Sequence, residues 1–122
     1  MFELSIKTRF SAAHHLVGYP GSCASLHGHN WEVEVVVQGK RLDKTGILLD
    51  FRELKAAVNQ IIKEIDHSDL NAVAALKGVN PTSENIAKFL FGRISKAVNG
   101  PRSRVARVSV NETPDSRAVY WR

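Results

Sequence analysis

The sequence predicts an α+β domain in which two helices cover one face of a four-stranded antiparallel sheet, in the order ββααββ. Three observations predict it. Two long segments near the start alternate apolar and polar residues, two central segments repeat apolar residues every three or four positions, and two short alternating segments close the chain. At 122 residues, 43% hydrophobic and 24% charged, the chain fits a single domain spanning 1–122 around one core.

In the first strand Phe2, Leu4, Ile6, Thr8 and Phe10 share one face, and Glu3, Ser5, Lys7 and Arg9 share the other. A turn-rich stretch over 17–23 breaks the pattern. The second strand then turns Trp31, Val33, Val35 and Val37 inward against Glu32, Glu34 and Gln38, and ends at Gly39. Asp50 caps a helix whose apolar stripe is Phe51, Leu54, Val58, Ile61, Ile62 and Ile65. A second helix opens after Asn80-Pro81-Thr82, carries Ile86, Phe89, Leu90, Ile94 and Val98 on one face, and stops at Asn99-Gly100-Pro101. The third strand places Ala106, Val108 and Val110 inward, against Arg107 and Ser109, and the fourth covers 118–121. Such a sheet has two open edges, so strands are expected to continue from one subunit to the next.

Seventeen Lys and Arg against 12 Asp and Glu give a net charge of +5, which favours an anionic partner. The chain carries neither an aromatic-basic surface motif nor a helix-turn-helix signal, so a nucleic-acid-binding module is disfavoured. Cys23 is the one cysteine. It excludes an intrachain disulfide and a Cys-rich zinc finger, and fits a reducing cytoplasm. No segment is long and apolar enough to cross a bilayer, and the first residues lack a secretory pattern, so neither a membrane nor an export role is expected.

Extending the strand phases brings three of the five histidines to one side: His14 continues the face of Phe2 to Phe10, and His27 and His29 continue that of Trp31 to Val37. Three neutral imidazoles suit Zn²⁺ and leave a fourth position for water or substrate, the pattern of catalytic zinc; three half-buried structural histidines are the alternative. His15 is out of phase with them. Cys23, four residues before His27, is either a thiolate base or nucleophile at the pocket rim or a small buried apolar residue. Asp66 and His67 follow the first helix as a proton relay or as ordinary helix-end chemistry. Glu112 shares the inward phase of Val108 and Val110. It needs paired donors there, from a ligand edge such as an aminopyrimidinone or from a salt bridge. Thr82 and Ser83 cap the second helix, whose start also welcomes anionic or carbonyl groups.

Six blocks of sequence resemble one enzyme family. Phe10-Ser11-Ala12-Ala13-His14, Cys23-x-x-x-His27-Gly28-His29-Asn30-Trp31, Leu49-Asp50-Phe51, Asp66-His67 with Leu70-Asn71, Pro81-Thr82-Ser83-Glu84-Asn85 and Glu112-Thr113-Pro114 occur in the order of the 6-pyruvoyl- and 6-carboxy-tetrahydropterin synthase family. The resemblance implies a tunnelling fold (T-fold) whose subunits join edge to edge into a barrel, usually a hexamer of two trimers with the active site between subunits. It implies zinc on His14, His27 and His29, Cys23 as catalytic base, Asp66 and His67 as proton relay, and Glu112 as pterin anchor with Thr82 and Ser83 nearby. His15 stands where the family commonly has Arg, so no role is carried over to it.

The implied substrate is 7,8-dihydroneopterin triphosphate, which gives the positive charge a use. Release of acetaldehyde and triphosphate with a 6-carboxy product, on the route to queuosine-type deazapurines, is favoured by the short ends of the chain and by Glu112-Thr113-Pro114. The alternatives are a 6-pyruvoyl product on the biopterin route, and a zinc- and pterin-binding oligomer without turnover.

Overall fold

A computed structural model describes residues 1–122. The strands β1 (Phe2–His14) and β2 (His27–Gly39) are followed by helix α1 (Phe51–Ile62), a two-residue strand β3 (Ser68–Asp69), helix α2 (Ser83–Val98), and strands β4 (Arg104–Thr113) and β5 (Ser116–Tyr120). The sheet order is β3-β1-β2-β4-β5. The α+β class, the helix placement and the four principal strands agree with the sequence.

The count of four strands needs a correction, because β3 adds a fifth, paired parallel to β1 at Ala12 and Ala13. Two residues carry no readable periodicity. The strand forms because the chain leaving α1 is pinned to β1, with the His67 N–H donating to the Ser11 carbonyl at 2.6 Å.

The antiparallel ladder of β1 and β2 runs from Phe2↔Gly39 to His14↔His27 without a register break. One alternating face of each strand therefore enters the core along its whole length. Trp31, Val33, Val35 and Val37 are fully buried against Leu54, Val58, Ile86, Leu90 and Ile94 from the helices and Ile65 from the turn that follows α1, three residues past the helix end. Asp50 accepts a hydrogen bond from the Arg52 N–H at 2.8 Å, and the Thr82 hydroxyl accepts one from the Asn85 N–H at 3.1 Å, so each helix begins at the cap its sequence announces.

Three residues of the expected inward faces sit elsewhere. A bulge in β4 pairs Val36 with Arg107 and Val37 with Val105, leaving Ala106 as the extra residue. Val105 thus enters the core in place of Ala106. Phe2 and Phe51, each the first residue of its element, are about half exposed and line an apolar depression with Leu4, Leu42, Ile47 and Leu48.

Trp31 ties the core to the end of the sheet that carries the histidines. Its ring stacks on Phe10 at 5.6 Å between centroids, and its indole N–H donates to the Ala12 carbonyl at 3.2 Å. Replacing Trp31 by Ala is expected to lower unfolding stability by about 3–5 kcal/mol, as a fully buried aromatic does on truncation. Urea unfolding followed by circular dichroism checks this; a loss below about 1 kcal/mol would contradict the packing described.

Beyond Ala12 and Ala13, the outer edge of β1 has no strand partner, and β5 pairs with β4 alone. Both edges of the sheet are thus largely open.

Candidate active site

The ladder itself assembles the histidine cluster. His14 and His27 are directly paired across β1 and β2, and His29, two residues further along β2, projects from the same face. One ring nitrogen from each of His14, His27 and His29 lies within 4.8 Å of the others. The rings meet edge to face, with centroids 4.6 to 5.3 Å apart.

Hydrogen bonds on the far side of two rings fix how they present themselves. His14 Nδ1–H donates to the Pro81 carbonyl at 2.8 Å, and His27 Nδ1–H donates to the Ser25 carbonyl at 2.7 Å. These bonds leave Nε2 as the lone-pair nitrogen, the arrangement found when imidazole is held for a metal. The Nε2 atoms of His14 and His29 are buried and have no hydrogen-bond partner. A buried polar atom in that state is costly, and a cation among the three rings relieves it. Burial holds the His29 pKa below its usual value, with Glu112 opposing the shift and the neighbouring His14 and His27 adding to it, so the ring favours its neutral, ligating form. The donor set fits a metal ion.

Glu112 arrives at the same place from β4. Its carboxylate oxygens lie 3.7 Å from His14 Nε2 and 3.6 Å from His29 Nε2. The Ser83 hydroxyl, at the first turn of α2, is 3.4 Å from Glu112 Oε2. Ser83 and Glu112 also line a depression with Glu84, Ser116 and Arg117. Thr82 is placed differently, since its hydroxyl accepts from the Asn85 N–H and caps the helix.

Asp66 and His67 form a second cluster. Asp66 Oδ1 accepts from the Ser11 N–H at 2.9 Å and lies 2.9 Å from His67 Nδ1. His67 holds φ +55, a left-handed conformation uncommon for a residue with a side chain. Its ring is largely exposed and shares a depression with Ser11, Ala13, Gly28, His29 and Asn30. Cys23 sits apart, half-buried on the single turn Ser22–Ala24, and is not a member of the histidine cluster.

The bond from Ser11, and then the one from His67, hold the Asp66 carboxyl below its ordinary pKa. A depressed folded pKa means that the ionised group adds stability above its unfolded value near about 3.9, a contribution lost as pH falls through the lower folded value. Asp66→Asn is therefore expected to be less stable than the wild type near neutrality, with the two converging as the pH falls well below about 4. Urea midpoints measured across pH 2–7 check it; a gap that persists unchanged in acid would contradict the role of the charge.

Two asparagines make loop contacts that the sequence does not announce. Asn71 Oδ1 accepts from the His15 N–H at 2.9 Å while its amide donates to the His15 carbonyl at 3.1 Å. Asn80 does the same for Val17, at 3.0 and 3.1 Å. Each side chain acts as a strand partner for the loop that leaves His14 toward Cys23. Nothing in the local pattern announces this, because the partners are 56 and 63 residues away.

The family model for 6-pyruvoyl tetrahydropterin synthase matches residues 3–122. A 6-carboxy-5,6,7,8-tetrahydropterin synthase from Synechocystis is 39% identical over 118 residues, covering 92% of this chain and 87% of its own. A dihydroneopterin monophosphate aldolase from Pyrococcus furiosus is 44% identical over 75 residues, 62% of this chain and 60% of its own. Among solved structures, 6-pyruvoyl tetrahydropterin synthase from Caenorhabditis elegans superposes with a TM-score of 0.89 at 26% identity, over 99% of this chain and 95% of that one. With the fold shared over nearly its full length and the family model matched from residue 3 to the last residue, this chain belongs to the 6-pyruvoyl tetrahydropterin synthase family.

Proposed function

We propose that this protein is a lyase of the 6-carboxy-5,6,7,8-tetrahydropterin synthase type, converting 7,8-dihydroneopterin triphosphate and water to 6-carboxy-tetrahydropterin, acetaldehyde and triphosphate. The observation that carries it is the meeting of His14, His27 and His29 with Glu112, all within one small volume of a tetrahydropterin synthase fold. The 39% identity to the Synechocystis enzyme of that name favours the carboxy product over the pyruvoyl one.

In this reading His14, His27 and His29 hold Zn²⁺, with Pro81 and Ser25 fixing the rings of His14 and His27. When bound, zinc supplies Lewis acidity that makes the hydroxyl protons of the substrate side chain easier to remove. Glu112 accepts the N–H groups of the pterin edge, oriented by Ser83, and the N-terminal turn of α2 with Thr82 shapes the rim. Cys23, as thiolate, removes the side-chain proton. Asp66 holds the His67 ring by Nδ1, which leaves Nε2 free to deliver or take a proton.

Cys23 and the relay stand on separate parts of the chain, and the loop carrying Cys23 exposes Val17, Tyr19 and Leu26. Together with the open sheet edges, this supports an edge-to-edge assembly, a hexamer, in which neighbouring subunits complete each site. Light scattering is expected to give six times the 13.5 kDa chain mass, and a monomer at micromolar concentration would overturn the assembly. The residue set and the route to queuosine-type deazapurines fit a cytoplasmic enzyme without a membrane or nucleic-acid partner.

Incubating the zinc-loaded protein with dihydroneopterin triphosphate and identifying products by mass spectrometry tests the activity. A 6-carboxy pterin with acetaldehyde supports the proposal. A 6-pyruvoyl product replaces it with the biopterin-route reaction, and unchanged substrate bound to the protein replaces it with a binding role.

A further inference from the structure

Four of the 17 Lys and Arg gather in one place far from the histidines. Lys40 and Arg41 follow the end of β2, and Arg102 and Arg104 come from the turn into β4, where Arg104 pairs with Gln38. All four side chains are exposed and line one depression with Gly39, Gly100 and Ser103, which contains no acidic residue. Ion pairs engage Lys7, Arg9, Arg52, Arg93 and Arg107, and none of these four. Asp43 is the carboxylate whose charge Arg102 feels, and Asp43 Oδ1 is already occupied by the hydroxyl and N–H of Thr45 and the N–H of Ile47.

The platform under these side chains is rigid. A Cβ at Gly39 would lie 2.2 Å from the Arg102 carbonyl oxygen, so only glycine lets the end of β2 touch the turn that carries Arg102. That turn is closed by the Gly100 N–H donating to the Ser103 carbonyl at 2.9 Å. Beside it, Asn99 Oδ1 accepts the Val105 N–H at 2.8 Å. Ser103 itself is buried. Four unpaired cations held together on a fixed frame repel one another, and an anion of several charges removes that cost.

We infer that Lys40, Arg41, Arg102 and Arg104 form a binding site for an oligophosphate chain, either inorganic or the tail of a nucleoside triphosphate. The site lies at the opposite end of β2 from His27, about 40 Å away at about 3.3 Å per residue, and so is separate from the histidine centre of the same chain. One guanidinium or ammonium for each bridging or terminal oxygen group suits a chain of phosphates better than a single phosphate.

Isothermal titration of inorganic tripolyphosphate and, separately, ATP into the intact protein tests the site without using turnover. Saturable binding is expected for tripolyphosphate, weakened about tenfold or more in Arg41→Ser/Arg102→Ser, retained in His29→Ala, and reduced by added salt. Equal affinity for ATP identifies the phosphate chain as the recognised part, and tighter ATP binding identifies a nucleotide. Both variant positions are exposed, and an unchanged circular dichroism melt establishes that the double variant is folded. Binding that fails to saturate, or that is equal in the double variant, overturns the inference. A raised KM for dihydroneopterin triphosphate in the double variant also overturns it, since the cluster would then serve the catalytic site.

Discussion

Cys23→Ala is expected to lower turnover of dihydroneopterin triphosphate by about 10²–10⁴-fold, the range for loss of a positioned proton-transfer group, while the metal content stays unchanged. The two readouts separate because Cys23 lies on its own turn outside the histidine cluster. The fold should tolerate the change. Cys23 is half-buried, it is absent from the core cluster, and the hydrogen bond that anchors the turn is made by its backbone carbonyl to the Leu16 N–H at 2.9 Å. Rates measured alongside metal analysis and a thermal melt give the answer, and unchanged turnover with metal retained would remove Cys23 from the mechanism.

His29→Ala is expected to abolish both metal binding and turnover. In the proposed zinc site the variant keeps only two of the three imidazoles, and the loss of Lewis-acid stabilisation, several kcal/mol, would amount to about 10³-fold or more at about 1.4 kcal/mol per decade. A second readout is thermal: a metal that binds only the folded chain raises the melting temperature, and that rise should vanish in the variant. His15→Ala is the internal control. His15 adjoins His14 in sequence but lies outside the cluster, so its loss should leave metal stoichiometry intact. Equal zinc uptake by wild type and His29→Ala in equilibrium dialysis would sink the assignment. Chelation of the wild type should reproduce the variant, with activity restored by zinc.

How much of this site could be read along the chain depended on the distance each feature spans. His14, His27 and His29 were legible because period-two alternation is local, and a ladder without a register break carries the phase of Ile6 and Phe10 through to His14. The caps Asp50 and Thr82 were legible because a cap acts within three residues. The same alternation misplaced Ala106, where a bulge shifts β4 by one residue, and it was silent about β3, which is too short to have a period.

The sequence by itself therefore determined the class of fold, the faces of the long strands and helices, and the residue types able to bind a metal and move protons. Those properties arise from side-chain chemistry and from spacing along a regular backbone. Only the tertiary structure decided that Glu112 meets His14 and His29, that Pro81 orients His14, and that Asn71 and Asn80 hold the loop toward Cys23. It also separated the basic cluster at Gly39 from the histidines at the other end of the same strand. Each of these joins residues tens of positions apart, or sets apart residues that share one net charge. Composition and periodicity carry no record of such distances until the chain has packed.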